Sequence, residues 1–319
     1  MINIIDCMDL KKMLLALLVS ATVLPAAAQT REELSEMYSG RYDLVVSKLG
    51  YAGVGVETIL NQWEQVDSTN VKMLTAKFNY YFTKAQSNSV VVKPQKKYLG
   101  ADPVLTLKDS TGTDVHYFQE VMYDDALFSE AMRYLDKAIA EVPLRIDLRF
   151  TKVTALMSYE KDSPDMALSY LLGLADKEAA EHCKWEYPGY ELGEDFFRQS
   201  MQEYCAAFYT LGTPSSYEAF RTLSERMLII YPKDPAFITN MGTYEFIVAK
   251  DYAKALKYYR KALKIAPDDY SALKNCVLLA RQQKNGKLER KYLEQFVKVA
   301  PENERQAAEA RLKFLCGEN

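Results

Sequence analysis

The sequence predicts an all-α chain, an α-α superhelix of stacked helical hairpins that carries one small β-hairpin insertion. Three observations predict it. First, Tyr252, Ala255, Tyr258, Tyr259, Ala262, Leu263 and Pro267 lie on one face at helical period, and Phe128, Ala131, Tyr134, Leu135, Ala138, Ile139 and Pro143 repeat that set position for position 124 residues earlier. Second, prolines punctuate the C-terminal part regularly, 35 residues from Pro232 to Pro267 and 34 from Pro267 to Pro301. Third, the alanines of the pattern recur every two turns, a spacing that lets a neighbouring helix approach closely.

The stretch from Asp234 to Pro267 reads as one complete hairpin. Asp234-Pro235 supplies a capping side chain followed by proline at the first helical position, and Gly242 permits close contact on the first helix. A large residue before glycine, then a small residue, an aromatic, an alanine and a closing proline make an order that resembles the tetratricopeptide repeat (TPR). That resemblance implies a TPR-like solenoid whose first helices line a groove holding another polypeptide.

Taken in order, residues 29–124 read as degenerate repeats. Arg31 to Leu49 reads as two short helices broken at Ser39-Gly40, with Gly40-Arg41-Tyr42 as an inter-helix turn. Gly50, Gly53 and Gly55 form a plain connector; the dinucleotide pattern fails because Thr58 stands at its third glycine and no lysine follows. Val56 to Val66 is a helix with Ile59, Leu60 and Trp63 on one face, and Thr69 to Gln86 is another. Val90 to Val92, Leu105 to Leu107 and Val115 to Phe118, with a turn at Asp109 to Gly112, read as a β-hairpin inserted near 87–124 between the helices of one repeat. It serves either as a flap packed on the solenoid or as a partner-contacting element. TPR-like repeats then fill 125–301, with Ser163 capping one helix, Thr213 another, and Glu289 and Phe296 standing where alanine is expected. Residues 302–319 read as a C-terminal capping helix covering the last apolar face.

The first 28 residues differ from the rest. Lys11-Lys12 precede an apolar run from Met13 to Val23 and then Ala26-Ala27-Ala28, the order of a signal peptide, and the run is too short to span a bilayer. The expected product begins near Gln29 and is periplasmic or secreted, with no later transmembrane segment. A net charge of −3 argues against nucleic acid as a partner. The charge is uneven, since Lys250 to Lys298 holds 13 Lys or Arg against 5 Asp or Glu, a net of +8. Of the cysteines after the leader, Cys183, Cys205, Cys276 and Cys316, free thiols are expected, because Cys276 falls where a small packed residue is wanted.

Nothing in the sequence marks an enzyme. Its two histidines, His116 and His182, lack partner ligands at metal spacing, so neither a metal nor a cofactor is expected. Mapped through the repeat, the expected partner contacts are Gln202, Tyr209, Asn240, Thr243, Lys274, Asn275, Leu278 and Arg281, with Lys274 and Arg281 favouring an acidic segment. One alternative is glycan binding by Trp185, Tyr187 and Tyr190 in an aromatic loop; another is a hydrolase with its site beside the insertion.

Overall fold

The computed structural model describes residues 30–317, so the leader expected at 1–28 lies outside the described residues. Among the described residues are thirteen α-helices and three strands, and no helix is long and apolar enough to cross a membrane. The chain divides into two compact units. Of the described residues, the first comprises 30–85 together with Asp125–Glu141, and the second comprises Gln86–Asp124 together with 142–317. These are not the boundaries 29–124 and 125–301 drawn from sequence, because the helix after the insertion pairs with the helix before it.

The first unit holds α1 (Arg31–Leu49), α2 (Val56–Val66), α3 (Val71–Ala85) and α4 (Asp125–Glu141). One expectation needs correcting here: α1 is continuous through Ser39-Gly40, and no inter-helix turn forms at Gly40-Arg41-Tyr42. A glycine inside a helix costs roughly 1 kcal/mol, a local preference that contacts remote in sequence override here. Lys72 donates to the Ser39 hydroxyl at 2.7 Å and to Asp43 at 2.6 Å, tying both halves of α1 to α3. The unit's centre is Trp63, whose indole N–H donates to Ser35 Oγ at 2.7 Å. Beside α4, the buried Lys77 donates to Asn61 Oδ1 and to the Tyr134 hydroxyl, each at 3.0 Å, and to Glu64, so its charge is fully partnered.

The second unit opens with the small β insertion, in which the expected hairpin is part of a three-stranded antiparallel sheet. Its strands are β1 (Gln86–Lys93), β2 (Leu105–Lys108) and β3 (Asp114–Tyr123), in spatial order β1-β3-β2. β3 is long enough to accept a ladder on both edges, with Val91 opposite Phe118 and Leu105 opposite Tyr117. Four helical hairpins follow: α5 (Ile146–Glu160) with α6 (Asp165–Glu181), α7 (Phe196–Leu211) with α8 (Pro214–Ile230), α9 (Pro235–Tyr244) with α10 (Tyr252–Ile265), and α11 (Tyr270–Gln282) with α12 (Gly286–Val299). The last helix, α13 (Glu302–Cys316), packs on α12.

These hairpins are TPR-like in their contacts. Ala255, Tyr259 and Ala262 are fully buried, and Gly242 of α9 meets the Tyr259 ring so closely that a methyl group would not fit. Asp234 caps α9 by accepting from the amides of Ala236 and Phe237 at 2.8 and 3.1 Å, and Thr213 caps α8 in a reciprocal box with Ser216. Elsewhere the caps differ from expectation. Ser163 does not cap α6; the Glu160 carboxylate accepts from the amides of Met166 and Ala167, and Ser163 bonds Asp165 and Ser215 instead. Similarly α9 ends early, at Tyr244, and finishes in a π turn, Glu245–Ala249, before the left-handed Lys250.

Candidate partner groove

The first helices of the second unit's hairpins, α5, α7, α9 and α11, present one face, and α13 continues the series. The sheet occupies this face at α5 and α7. Lys161, just past α5, pairs with Glu120 of β3 at 2.7 Å, Tyr159 of α5 meets Tyr123 edge to face, and Gly100 sits against the backbone of Thr210. Gly100 has φ +78° and no room for a side chain, so glycine is required where the β1–β2 loop lies on α7. An open cleft of about 690 Å³ remains between sheet and helices, walled by Tyr98, Phe118, Met157 and Tyr204.

The middle of the face is filled by polar staples between hairpins. Asn240 and Gln202 exchange two amide hydrogen bonds, of 2.7 and 3.1 Å, and Asn240 also donates to Ser224 at 3.1 Å. Next along, Asn275 donates to Thr243 Oγ1 at 3.1 Å, and Thr243 in turn donates to the Thr239 carbonyl at 3.0 Å. Asn240 and Asn275 therefore do share equivalent positions, but each spends its amide on the preceding hairpin. Tyr209 is held between Tyr217 and Phe220, with ring centroids 5.7 and 5.5 Å away.

Further along, Lys274, Leu278 and Arg281 come together. With Val277 they form one wall of a groove of about 530 Å³; Asn303, Glu304, Ala307, Ala308 and Arg311 of α13 form the other, and Leu293 and Phe296 lie beneath. Leu278 is 40% exposed at its centre. Lys274 donates to Glu304 and to the Tyr270 hydroxyl, each at 2.9 Å, and these contacts hold its ammonium pKa above the ordinary lysine value, Tyr270 most and Glu304 next.

At the other end Glu289, only 2% exposed, accepts from Arg281 Nε at 2.9 Å and from two nitrogens of Arg311, also at 2.9 Å. Arg311 foremost, then Arg281, holds this carboxyl below the usual carboxylate range against the opposing effect of burial. Two guanidinium groups share one carboxylate, so this end of the groove keeps one net positive charge. Arg311, which the sequence did not single out, could have been found from Glu289. A glutamate replacing a buried alanine needs a cation, and α13 carries it.

The aromatic loop is mostly packing. Trp185 stacks on Phe197 at 5.9 Å with its N–H donating to Glu178 at 2.8 Å, while the Glu186 amide donates to the Leu144 carbonyl and the Glu186 carbonyl accepts from the amide of Ile146, the first residue of α5. Tyr187 meets Tyr190 edge to face, and Tyr190 alone of the three is largely exposed. Cys183, Cys205, Cys276 and Cys316 are free thiols, and burial raises the pKa of Cys205 and of Cys276 to about 12. Among the described residues no cluster of His, Cys, Asp or Glu could hold a metal ion.

No family model matches the chain, and no curated protein matches its sequence. Among solved structures it resembles PilW, a type IV pilus biogenesis factor (12% identity, covering 86% of this chain and 98% of that one, TM-score 0.38). It also resembles PilF of Pseudomonas aeruginosa (13% identity, 88% and 98% covered, TM-score 0.33). A third likeness is to the C-terminal part of a TPR repeat-containing protein of Cytophaga hutchinsonii (13% identity, 88% and 96% covered, TM-score 0.41). These likenesses are loose, and the fold rests on the hairpins themselves.

Proposed function

We propose that this chain is a protein-binding scaffold that receives a segment of a partner polypeptide in the groove between α11 and α13. The observation that carries the reading is the groove's make-up: an exposed leucine above an apolar floor of Leu293 and Phe296, with Lys274 near one end and the Arg281–Glu289–Arg311 cluster at the other. Apolar area supplies affinity and the surplus positive charge selects an acidic flank. Asn240 and Asn275, bonded between hairpins, fix the shape of the face rather than touching the partner. The leader-like sequence around Lys11-Lys12 and Met13 to Val23 supports an exported protein working in the envelope.

The test is a photo-crosslinking amino acid placed at Leu278, compared with one at Lys257 on a second helix. The proposal expects adducts of one defined partner from position 278 that are absent from 257. Equal labelling from both positions, or none from 278, would overturn it.

A further inference from the structure

The sheet raises a separate question, because its two edges are guarded very differently. An edge strand leaves the N–H and C=O of alternate residues unpaired, and natural sheets protect such edges with shortness, charge, proline or bulges. β2 is protected. It has four residues, ends in Lys108 and runs into the Asp109 turn. β1 is not: it has eight residues, QSNSVVVK, and no proline, glycine or charge before Lys93. Even Lys93 is turned away, with its ammonium 4.4 Å from the centre of the Tyr98 ring.

The faces of β1 are equally telling. Val91 lies opposite the buried Phe118, so Val90 and Val92 point to the other side, where they are 63% and 55% exposed. On that outer side the register aligns Val92, Tyr117 and Leu105 across all three strands. An apolar stripe therefore runs across the sheet and stops at an edge that pairs with no further strand among the described residues.

We propose that β1 is an interface for a second copy of this chain, pairing antiparallel with its own counterpart about a two-fold axis at Val91, which sets Val90 opposite Val92 of the partner. A strand is the occupant that satisfies a row of unpaired backbone groups, and three features select β1 itself as that strand. An antiparallel two-fold keeps the outer faces of both sheets on one side, so Val90 and Val92 of each copy meet as a cluster of four valines. The one charge of β1 sits at its end, so the two Lys93 ammonium groups lie at opposite ends of the paired strands. Pairing joins the two three-stranded sheets into one of six, with the short charged β2 as the edge at each end. This interface is distinct from the α11–α13 groove and stands or falls without it.

The experiment is sedimentation equilibrium of the whole chain, of the Val90→Lys/Val92→Lys variant, and of a control, Leu105→Lys/Leu107→Lys. All four positions are solvent-facing, and circular dichroism verifies that each variant is folded. The proposal expects a parent in monomer–dimer equilibrium, a β1 variant whose dimer dissociation constant rises at least tenfold, and a control that dimerises like the parent. A parent that stays monomeric into the hundred-micromolar range overturns it. So does a dimer that survives the β1 change or is abolished by the control.

Discussion

A Cβ atom built on Gly242 would lie 2.6 Å from Cε1 of Tyr259, closer than two carbons can come. Tyr259 is fully buried, so it cannot swing into solvent to make room. Ordinarily alanine in place of a helical glycine gains roughly 1 kcal/mol. Here overpacking, at about 1–3 kcal/mol, opposes and exceeds that gain. Gly242→Ala should therefore lower the urea midpoint, and a raised midpoint would show that α9 and α10 are not in this contact.

The alanines of α10 give the same test from the other side. Ala262→Leu should cost about 1–3 kcal/mol by overpacking against Ile238 and Ala272, and Ala255→Glu more, since it buries an unpaired charge. Thermal melts of both variants check this. Parental melting temperatures would mean the alanines lie at the surface.

These close contacts were the part of the fold most legible in the sequence, because a small residue at a helix crossing leaves a periodic trace. The sheet was half legible. Three β-prone runs are visible, but nothing local tells β1 to skip β2 and pair with β3, since that pairing spans tens of residues. Ser39-Gly40 misled because turn residues set only a local preference, and α1 is held by contacts with α2 and α3 that are remote in sequence, Ser35 with Trp63 and Ser39 with Lys72 among them. Groove residues were legible as positions but not as roles. Asn240 looks identical in sequence whether it bonds a ligand or Gln202, and only the neighbouring helix decides.

In the first unit, Ser35→Ala removes the acceptor for the buried Trp63 indole N–H. An orphaned buried donor costs about 1–3 kcal/mol, so equilibrium unfolding followed by tryptophan fluorescence should show a loss of that size. No change would mean that another acceptor replaces Ser35.

Glu289 makes the docking of α13 sensitive to acid. Its folded pKa is depressed, so the stability it contributes is present above the unfolded value near 4.5 and is lost as pH falls through the folded value. Melting temperatures of the parent and Glu289→Gln should differ at pH 7 and converge below pH 4.5. Arg311→Ala, which strips the bidentate partner from a buried carboxylate, should destabilise more than Glu289→Ala, which leaves two solvent-accessible guanidinium groups and restores the alanine of the repeat pattern. The reverse order would show that Glu289 is not held as a buried anion.

The central claim is that the α11–α13 groove receives the partner, and the Leu278→Glu/Ala307→Glu variant tests it most directly. Both side chains are exposed in the groove, so the change alters its chemistry without touching the core. The measurement is the affinity of the partner identified by crosslinking at Leu278, taken by calorimetry for parent and variant with helicity and melting temperature matched. A groove that binds an apolar, acidic segment predicts at least a tenfold weaker complex for the variant. Equal affinity would contradict the claim and place the partner elsewhere on the chain.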